Sequence, residues 1–439
     1  MEADSLRADG KALWVEWGTV RCFKCVSPGG WHGVLHKVTV WWTITLSYTI
    51  ETVNGTGEQV MNMDAVYDFI VIGAGMAGAS VAYRLSRQGA SVLVLERESQ
   101  PGYHATGRSA AMFMETYGTR HTRALTVASR PFFLNPPAGF ADSPILTPRG
   151  VLYVGKPGQE QLLDDTERAF RDQQLDVQRV TAEQAVEMVP CLRADTLVGA
   201  IYDHIASDMD VDVLHQGFLR GMVRHGAVLR NNADVVQAHR QDDTWQVQLA
   251  NGDTVAGHTV VNAAGAWADP IATACGVAPL GIQPMRRSAF LFPVPEGVDA
   301  SGWPTVIGVD EGFYFKPDAG ALLGSPANAD PVEPHDVVAE ELDVATGIYR
   351  IEEISTLRIR RPSHVWAGLR TFAPDHEFVI GHDGAVPGFF WLAGQGGYGI
   401  QTAAAASELA AALLLGQPVP DELVRHGVNA HTVDPQRFR

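Results

Sequence analysis

Apolar and polar positions alternate in a recognisable order once the chain passes residue 65. Residues 66–72 are almost continuously apolar, which predicts a buried strand. The next segment places its apolar residues on one helical face and reaches a stop signal at Gly89. Residues 91–95 predict a second buried strand, which ends at Glu96. The pattern is typical of a strand–helix–strand unit with parallel strands.

Glycines occupy special positions in this unit. Gly73, Gly75 and Gly78 follow the first strand with G-x-G-x-x-G spacing, and Glu96 lies 18 residues beyond the last of them. Such glycines permit a tight turn, the approach of a pyrophosphate to the backbone, and close helix packing, while the acid accepts ribose hydroxyls. The motif predicts a dinucleotide site. The alternative is a glycine turn that serves packing alone.

The rest of the chain indicates which dinucleotide is bound. A simple NAD-binding domain would continue with further strand–helix–strand units, but here the second strand leads into a loop of small residues at 102–111. Two later glycine segments, at 259–267 and 391–399, follow further apolar strands, and the last opens a predicted helix over 400–415. Three separated segments favour a long cofactor such as FAD, with the last helix dipole directed at the flavin pyrimidine.

Several blocks resemble FAD-dependent amine oxidoreductases of the D-amino-acid oxidase, glycine oxidase and sarcosine oxidase superfamily. Within that superfamily they are most similar to the bacterial D-arginine dehydrogenases. The resemblance extends from about residue 64 to residue 435. The blocks that carry it are residues 100–111, 135–139, 285–290, 324–331 and 396–402.

The resemblance implies an α/β fold with two domains. A discontinuous, glutathione-reductase-like Rossmann domain that binds FAD would comprise residues 64–142, 197–278 and 366–439. A substrate-binding domain with an antiparallel sheet would comprise residues 143–196 and 279–365. Residues 1–63 differ in composition from the remainder, with five of the ten tryptophans. We expect a poorly ordered extension there, with the functional protein beginning near Met61 or Met63.

The resemblance also implies the site residues. Those on the substrate side, the catalytic group, would be Arg287, Arg370, Tyr117, Tyr314, Gly397 and Gln401. Those that bind the cofactor would be Gly73, Gly75, Met76, Ala77, Gly78, Glu96, Arg97, Thr106, Gly107, Arg108, Ser109, Ala110, Ala111, Ala264, Gly265, Gly368, Gly396, Gly397, Tyr398, Gly399, Ile400 and Gln401.

Each substrate-side assignment has a plainer alternative. Arg287 and Arg370 can clamp a carboxylate because guanidinium is a planar, bidentate donor, whereas most of the 28 arginines are expected to be solvated. Tyr117 and Tyr314 can hydrogen-bond the same carboxylate, or can simply be packed, half-buried rings. FAD is expected to be non-covalent, because no cysteine lies near Arg370 or Gly396 in the sequence.

The implied reaction is the oxidation of a D-amino acid by hydride transfer from Cα to flavin N5. The imino acid would then hydrolyse to a 2-oxo acid and ammonia, and oxygen, a quinone or a dye would accept the electrons. One alternative is an oxidase for sarcosine, glycine or another secondary amine. Another is a flavin-binding module without turnover, which would not need a pair of arginines.

The sequence departs from the D-arginine dehydrogenase pattern where the substrate side chain would bind. Val151 stands in place of the glutamate that faces the cationic side chain, and Glu115 or Glu311 could supply another acid. Desolvating a guanidinium without a carboxylate is costly, so we expect uncharged, apolar side chains. The other altered pocket positions are Met112, Met114, Thr305 and Ile307.

Charge and composition exclude other classes. A net charge of −17 over 439 residues lacks the electrostatic footprint of a nucleic-acid-binding protein. Four cysteines do not form a disulfide scaffold and favour a cytoplasmic location. The longest apolar-leaning run, residues 38–50, is too short and too rich in threonine for an integral membrane segment.

No metal site is expected. Cys22 and Cys25, with two histidines downstream, have the wrong spacing for a zinc finger and are interpreted as a chance cluster. The acidic run Asp208-x-Asp210-x-Asp212 resembles the start of a calcium loop but lacks the required glycine and glutamate. We expect Asp212 to cap a helix over 213–224 instead.

Overall fold

The computed structural model of the protein describes residues 6–8, 11–13 and 65–439, which fall into two units, residues 1–58 and 59–439. In the first unit it describes a hairpin of strands β1 (Leu6–Ala8) and β2 (Lys11–Leu13). The two candidate starts, the Cys22–Cys25 pattern and the remainder of the expected extension lie outside the described residues.

The second unit contains two large sheets and a small one. The first elements along the chain are β3 (Val66–Ile72), α1 (Met76–Arg87), β4 (Val92–Leu95), β5 (Met112–Phe113), α2 (Arg120–Leu134), β6 (Leu146–Pro148), β7 (Val151–Gly155), α3 (Glu160–Asp172), β8 (Val177–Val180), α4 (Ala182–Met188), β9 (Gly199–Asp203) and β10 (Ser207–Met209). The next are α5 (Val211–Arg224), β11 (Val228–Arg230), β12 (Val235–Gln241), β13 (Thr244–Leu249), β14 (Thr254–Asn262), α6 (Ala268–Ala274), β15 (Gln283–Pro293), β16 (Thr305–Gly308), β17 (Tyr314–Asp318) and β18 (Ala321–Ser325). The last are β19 (Asp330–Pro331), α7 (Glu341–Ile354), β20 (His364–Phe372), β21 (Val379–His382), β22 (Phe389–Ala393), α8 (Ala403–Leu414), α9 (Asp421–Arg425) and α10 (Ala430–Val433).

An eight-stranded mixed sheet forms one half of the second unit, which the resemblance assigns to the cofactor. Strands β11, β4, β3, β14 and β22 run parallel, while β12, β13 and β21 are antiparallel to their neighbours. Strand β3 is buried on both faces, which explains its almost continuous apolar run. Phe69 and Val71 belong to the core under α1, α2, α5 and α8, whereas Ile70 and Ile72 belong to the core on the other face.

A nine-stranded sheet forms the other half, which the resemblance assigns to the substrate and which is called the substrate half below. Its order is β19-β15-β18-β17-β16-β7-β9-β8, with β20 also paired to β15, and the β16–β7 pair is parallel while the others are antiparallel. One face packs beneath α4 and α7 through residues such as Leu152, Phe290 and Phe315. Because side chains alternate along a strand, Tyr153, Tyr314 and their neighbours point to the opposite face.

A third sheet, of strands β5, β10 and β6, pairs Met112 with Asp208. Asp208 therefore lies in a strand that directly precedes α5. The expectation that Asp212 caps this helix is wrong. The helix begins at Val211 and is capped by Asp210, whose carboxylate accepts from the amide of Val213. Asp212 instead lies in the first turn, because the helix starts two residues earlier than expected.

The α/β fold class is confirmed, with one parallel-rich sheet and one predominantly antiparallel sheet. Helix α8 starts at Ala403 rather than at residue 400, and Gly416 ends it with a φ of +65°. The domain boundaries given above stay a prediction. Of the helices in the described residues, none is long and apolar enough to span a membrane.

Candidate active site

An elongated cleft lies between the two large sheets. It is lined by the carboxyl ends of β3 and β4, by the segment after β14, and by residues of β15, β16, β17 and β20. The cavity volume is about 460 Å³, within the range of cofactor and ligand pockets. Most predicted site residues line this cleft. Gly78, Gly107 and Tyr398 do not.

The glycine motif forms one end of the cleft by backbone packing. Gly73 has a φ of +100°, and a Cβ there would lie 2.5 Å from the carbonyl oxygen of Ala263. A Cβ on Gly78 would lie 1.8 Å from the carbonyl oxygen of Gly73. The amide of Met76, at the start of α1, donates to Thr106 Oγ1 over 3.0 Å. These contacts bring the helix N-terminus and the loop 102–111 together at the cleft.

Glu96 is fixed at the end of β4. Its two carboxylate oxygens accept from the amides of Ala74, over 2.8 Å, and Glu98, over 3.0 Å. The side chain is buried yet lines the cleft. Each carboxylate oxygen can accept more than one hydrogen bond, so the arrangement leaves Glu96 able to take the hydroxyls of a ribose.

An aromatic cluster borders the same end. The Arg97 guanidinium stacks on the Trp267 ring at 4.0 Å, and the His104 ring lies 4.6 Å from the same indole. His104 and Trp267 both line the cleft, as do residues 233–235 before and within β12. Residues 233–235 were missed because no motif marks them in the sequence.

Arg108 connects the loop 102–111 to the substrate half. Its Nη2 lies 2.5 Å from Asp336, and its Nη1 donates to the carbonyl oxygens of Val337 and Ala367. The indole of Trp366 donates to the Arg108 carbonyl over 3.0 Å. The side chain thus fastens the loop, while its stem and the small residues Ser109, Ala110 and Ala111 line the cleft.

Two arginines meet at the other end. Arg287 on β15 is paired with Gly368 on β20, and Arg370 follows two residues later, so both guanidinium groups lie on one face of the sheet. Arg370 Nη2 donates to Tyr117 Oη over 3.3 Å, while its Nε and Nη1 are buried and have no hydrogen-bond partner in the described part of the chain. Arg287 Nε donates to the carbonyl of Asn328 over 2.7 Å.

Neither arginine forms an ion pair with a carboxylate among the described residues. Burial lowers the pKa of Arg287, and the neighbouring charge of Arg370 lowers that pKa further. Two neighbouring guanidinium groups without a carboxylate partner make a candidate anion site, and the planar fork of each suits a carboxylate.

Backbone geometry keeps this anion site open. A Cβ on Gly397 would lie 2.7 Å from Arg370 Nε, so a larger residue would displace the guanidinium. Gly396 joins the wall through its amide, which donates to the Thr371 carbonyl over 2.7 Å. Gln401 is buried, and its side-chain amide binds both the amide and the carbonyl of Met114.

The tyrosines complete the anion site. Tyr314 lines the cleft at the start of β17, and Tyr117 lines it beside Arg370. The Tyr117 ring packs edge-to-face on Tyr398 at 4.8 Å. Burial raises the pKa of Tyr398, which keeps that hydroxyl protonated. Tyr398 therefore supports Tyr117 and does not reach the cleft itself.

The remaining wall lies where the substrate side chain is expected to bind. Some of the residues that were expected in this wall do not line it. Val151 is fully buried beside Thr305 and does not line the cleft. Glu115 is held by Arg130 over 2.7 Å, whereas Glu311 lines the entrance from the exposed β16–β17 turn. Sequence reasoning missed Lys316 in this wall. The residues expected here that do line it are Met112, Met114, Thr305 and Ile307.

The cleft fits FAD at its glycine end. The close contacts of Gly73 and Gly78 leave no space for side chains, so a cofactor there would lie along the backbone. Glu96 is placed to accept the hydroxyls of a ribose, and the aromatic cluster is placed to pack against a purine. Neither described cysteine, Cys191 or Cys275, lines the cleft. In the described part of the chain, no cluster of three or more His, Cys, Asp or Glu side chains could hold a metal ion.

A dinucleotide cradle that opens onto an anion site defines a flavin-dependent oxidoreductase. The family model for DAO, described as FAD dependent oxidoreductase, matches residues 68–413. The protein belongs to this family, and its cofactor is FAD.

Individual relatives agree with this assignment. The bifunctional tRNA 5-methylaminomethyl-2-thiouridine biosynthesis protein MnmC of Burkholderia vietnamiensis is 28% identical over 428 residues, covering 85% of this chain but only 60% of that protein. The N-methyl-L-tryptophan oxidase of Salmonella agona is 23% identical, covering 80% of this chain and 95% of that enzyme. The crystal structure of glycine oxidase from Geobacillus kaustophilus superposes with a TM-score of 0.70 at 21% identity, covering 83% and 99% of the two chains.

Proposed function

We propose that the protein oxidises D-amino acids with uncharged side chains to imino acids, which hydrolyse to 2-oxo acids and ammonia. The observation that carries this proposal is the pair Arg287 and Arg370, which share one face of the sheet, line the cleft and form no ion pair with a carboxylate among the described residues. A substrate carboxylate would hydrogen-bond to both guanidinium groups and balance one of the two charges. The D configuration and the residue roles rest on the sequence blocks that resemble D-arginine dehydrogenases.

The chain's own residues would orient the substrate. Arg287 and Arg370 would hold the carboxylate, with Tyr117 and Tyr314 donating further hydrogen bonds. The Cα atom of the substrate would then face the wall that contains Gly396 and Gly397. FAD, when bound, accepts a hydride from that carbon. Orientation of this kind lowers the barrier without a strong side-chain base, provided that the amine binds in its neutral form.

The preference for uncharged side chains is supported by the apolar wall. Met112, Met114 and Ile307 line the pocket, and apolar surface buried there contributes roughly 25 cal/mol per Å². Glu311 is the acidic residue at this end, but it is exposed in the β16–β17 turn, where solvent weakens its attraction for a cationic group.

A second candidate is a sarcosine- or glycine-type amine oxidase. It is favoured by the similarity to N-methyl-L-tryptophan oxidase and to the fold of glycine oxidase. Those substrates also carry a carboxylate, so the arginine pair suits both candidates. They differ in the amine and in the configuration at Cα.

Anaerobic reduction of the bound flavin separates these candidates. The protein should be mixed with D-Leu, D-Met, D-Arg, L-Leu, sarcosine, glycine and N-methyl-L-tryptophan, and bleaching near 450 nm followed. We expect D-Met or D-Leu to reduce the flavin fastest, and D-Arg more slowly. Faster reduction by sarcosine or glycine would favour the second candidate, and a tenfold preference for D-Arg would contradict the predicted pocket. Mixing the reduced enzyme with oxygen or a quinone then identifies the acceptor.

A further inference from the structure

Lys316 occupies an unusual place in the substrate half. Strands β17, β16 and β7 are neighbours, and Ile307 pairs with Tyr314 while Thr305 pairs with Val151. Continuing the antiparallel β16–β17 register places Lys316 beside Thr305. Lys316 therefore lies side by side with Thr305 and Val151 on neighbouring strands, and these two positions are expected to contact the substrate side chain. Lys316 and Thr305 both line the cleft.

The ammonium group of Lys316 is buried but incompletely paired. The residue is 5% exposed. Among the described residues, Nζ has one hydrogen-bond acceptor, Asp208 Oδ1 at 2.8 Å, and Asp318 Oδ1 lies at 3.7 Å. An ammonium group has three donors, and the hydrogen bond to Asp208 uses one of them.

Asp208 does not belong to Lys316 alone. Its other oxygen accepts from Arg149 Nε over 2.6 Å, and the small β5–β10–β6 sheet holds it opposite Met112. Two cations thus share this carboxylate, while Asp318 is half-exposed and beyond hydrogen-bond distance. Lys316, which lines the cleft, therefore shares its nearest carboxylate with a second cation.

We propose that Lys316 is the specificity-determining residue for the substrate side chain, an inference that rests on the function proposed above. Its ammonium donates a hydrogen bond to an acceptor such as a side-chain carbonyl and disfavours side chains that carry a positive charge. The substrate class is then narrower than uncharged D-amino acids. It favours short or medium side chains with a polar acceptor over hydrocarbon side chains of the same shape.

The test uses substrates of matched shape. D-Leu and D-Asn are close isosteres that differ in the acceptor, and D-Arg supplies the cation. Lys316→Met removes both the donor and the charge, and it leaves Asp208 paired with Arg149. Lys316→Gln keeps a donor without a charge, and it serves as the second variant if Lys316→Met folds poorly.

The expected results are ratios of kcat/KM on the FAD-loaded enzymes. The D-Asn to D-Leu ratio should fall about tenfold in Lys316→Met, because a hydrogen bond to a charged donor is lost, and it should change little in Lys316→Gln. The D-Arg to D-Leu ratio should rise in both variants. Lys156→Met is the matched control: this lysine pairs with Glu353 outside the cleft and should leave both ratios unchanged.

Two outcomes would contradict the inference, and they differ in whether the proposed function fails as well. If both ratios in Lys316→Met stay within twofold of wild type while D-Leu is still oxidised, Lys316 has no part in specificity, although the proposed function holds. If no D-amino acid reduces the wild-type flavin while sarcosine or glycine does, the proposed function fails and the inference fails with it.

Discussion

The two ends of the cleft are built by different means. At the cofactor end, backbone meets backbone: the hypothetical Cβ of Gly78 would overlap the Gly73 carbonyl, and glycine is the residue that fits. At the substrate end, side chains meet across strands, and charges such as Arg287, Arg370 and Lys316 are set by sheet register. The first end depends on the absence of side chains, and the second on where side chains are brought together.

The largest effect is expected from Gly78→Ala. The added methyl would force apart α1 and the turn at Gly73, so the variant should be purified with little or no FAD. Gly302→Ala is the matched control, because a Cβ there meets nothing within 4 Å. The ratio of absorbance at 450 nm to that at 280 nm measures FAD content. Full occupancy in Gly78→Ala would mean that the backbone contact is not needed.

Arg370→Met tests the substrate end and should retain FAD. We expect kcat/KM for a D-amino acid to fall about 30-fold or more, because losing one partner of a buried charged contact costs ~2–5 kcal/mol. Arg358→Met, at an arginine whose side chain is 68% exposed, is the control. Wild type should lose far more activity than the variant when the substrate lacks its carboxylate, and equal losses would assign Arg370 another role.

Glu96→Ala returns to the cofactor end with a side-chain contact. We expect the dissociation constant of FAD to rise about tenfold, since a charged hydrogen bond contributes ~1.5–3 kcal/mol. Glu422→Ala serves as the control, because Glu422 pairs with Arg425 and His426 at the surface and does not line the cleft. Unchanged FAD retention after dialysis of Glu96→Ala would remove the ribose assignment.

The smallest effect is expected from Thr116→Val, beside Tyr117. Thr116 Oγ1 donates to the buried Asp203 over 2.8 Å and also contacts Tyr153 Oη. Burial raises the pKa of Asp203, and the hydrogen bond from Thr116 opposes that rise. Without the hydroxyl the pKa rises further, so the ionised form is penalised more.

The consequence for Thr116→Val is a pH-dependent loss of stability. An acid whose folded-state pKa lies above its unfolded-state pKa destabilises the fold as pH rises through the folded-state value. The difference in Tm between wild type and variant should therefore be larger at pH 7.5 than in mildly acidic buffer. The loss should be about 1–3 kcal/mol, the cost of an unsatisfied charged partner. A difference that is independent of pH would contradict this.

Local signals were readable from the sequence. The β3–α1–β4 unit, its glycines and Glu96 all lie within 31 residues, and each has a conformational reason for its identity. The wrong cap at Asp212 shows the limit of such signals, since Asp210 and Asp212 differ only in where the helix starts.

The substrate end needed tertiary register. Lys316 lies in the five-residue strand Tyr314–Asp318, and nothing in the sequence connects it to Asp208, 108 residues earlier. Val151 was expected in the pocket wall, but it packs with Met114 and Tyr153 in a buried apolar cluster and does not line the cleft. The arginine pair was identified from the resemblance, since its spacing carries no local signal.

The strand order also sets when the molecule can fold during synthesis. Strand β3 pairs with β14, about 190 residues later, and β14 in turn pairs with β22 near the end of the chain. At roughly 5–20 residues per second, the ribosome releases β14 about 10–40 s after β3. Long-range parallel pairing of this kind is slow and leaves apolar strand edges exposed in the interval. The nascent chain thus carries its complete glycine motif long before it has the sheet to hold FAD, and chaperone supply during expression should govern the yield of flavin-loaded protein.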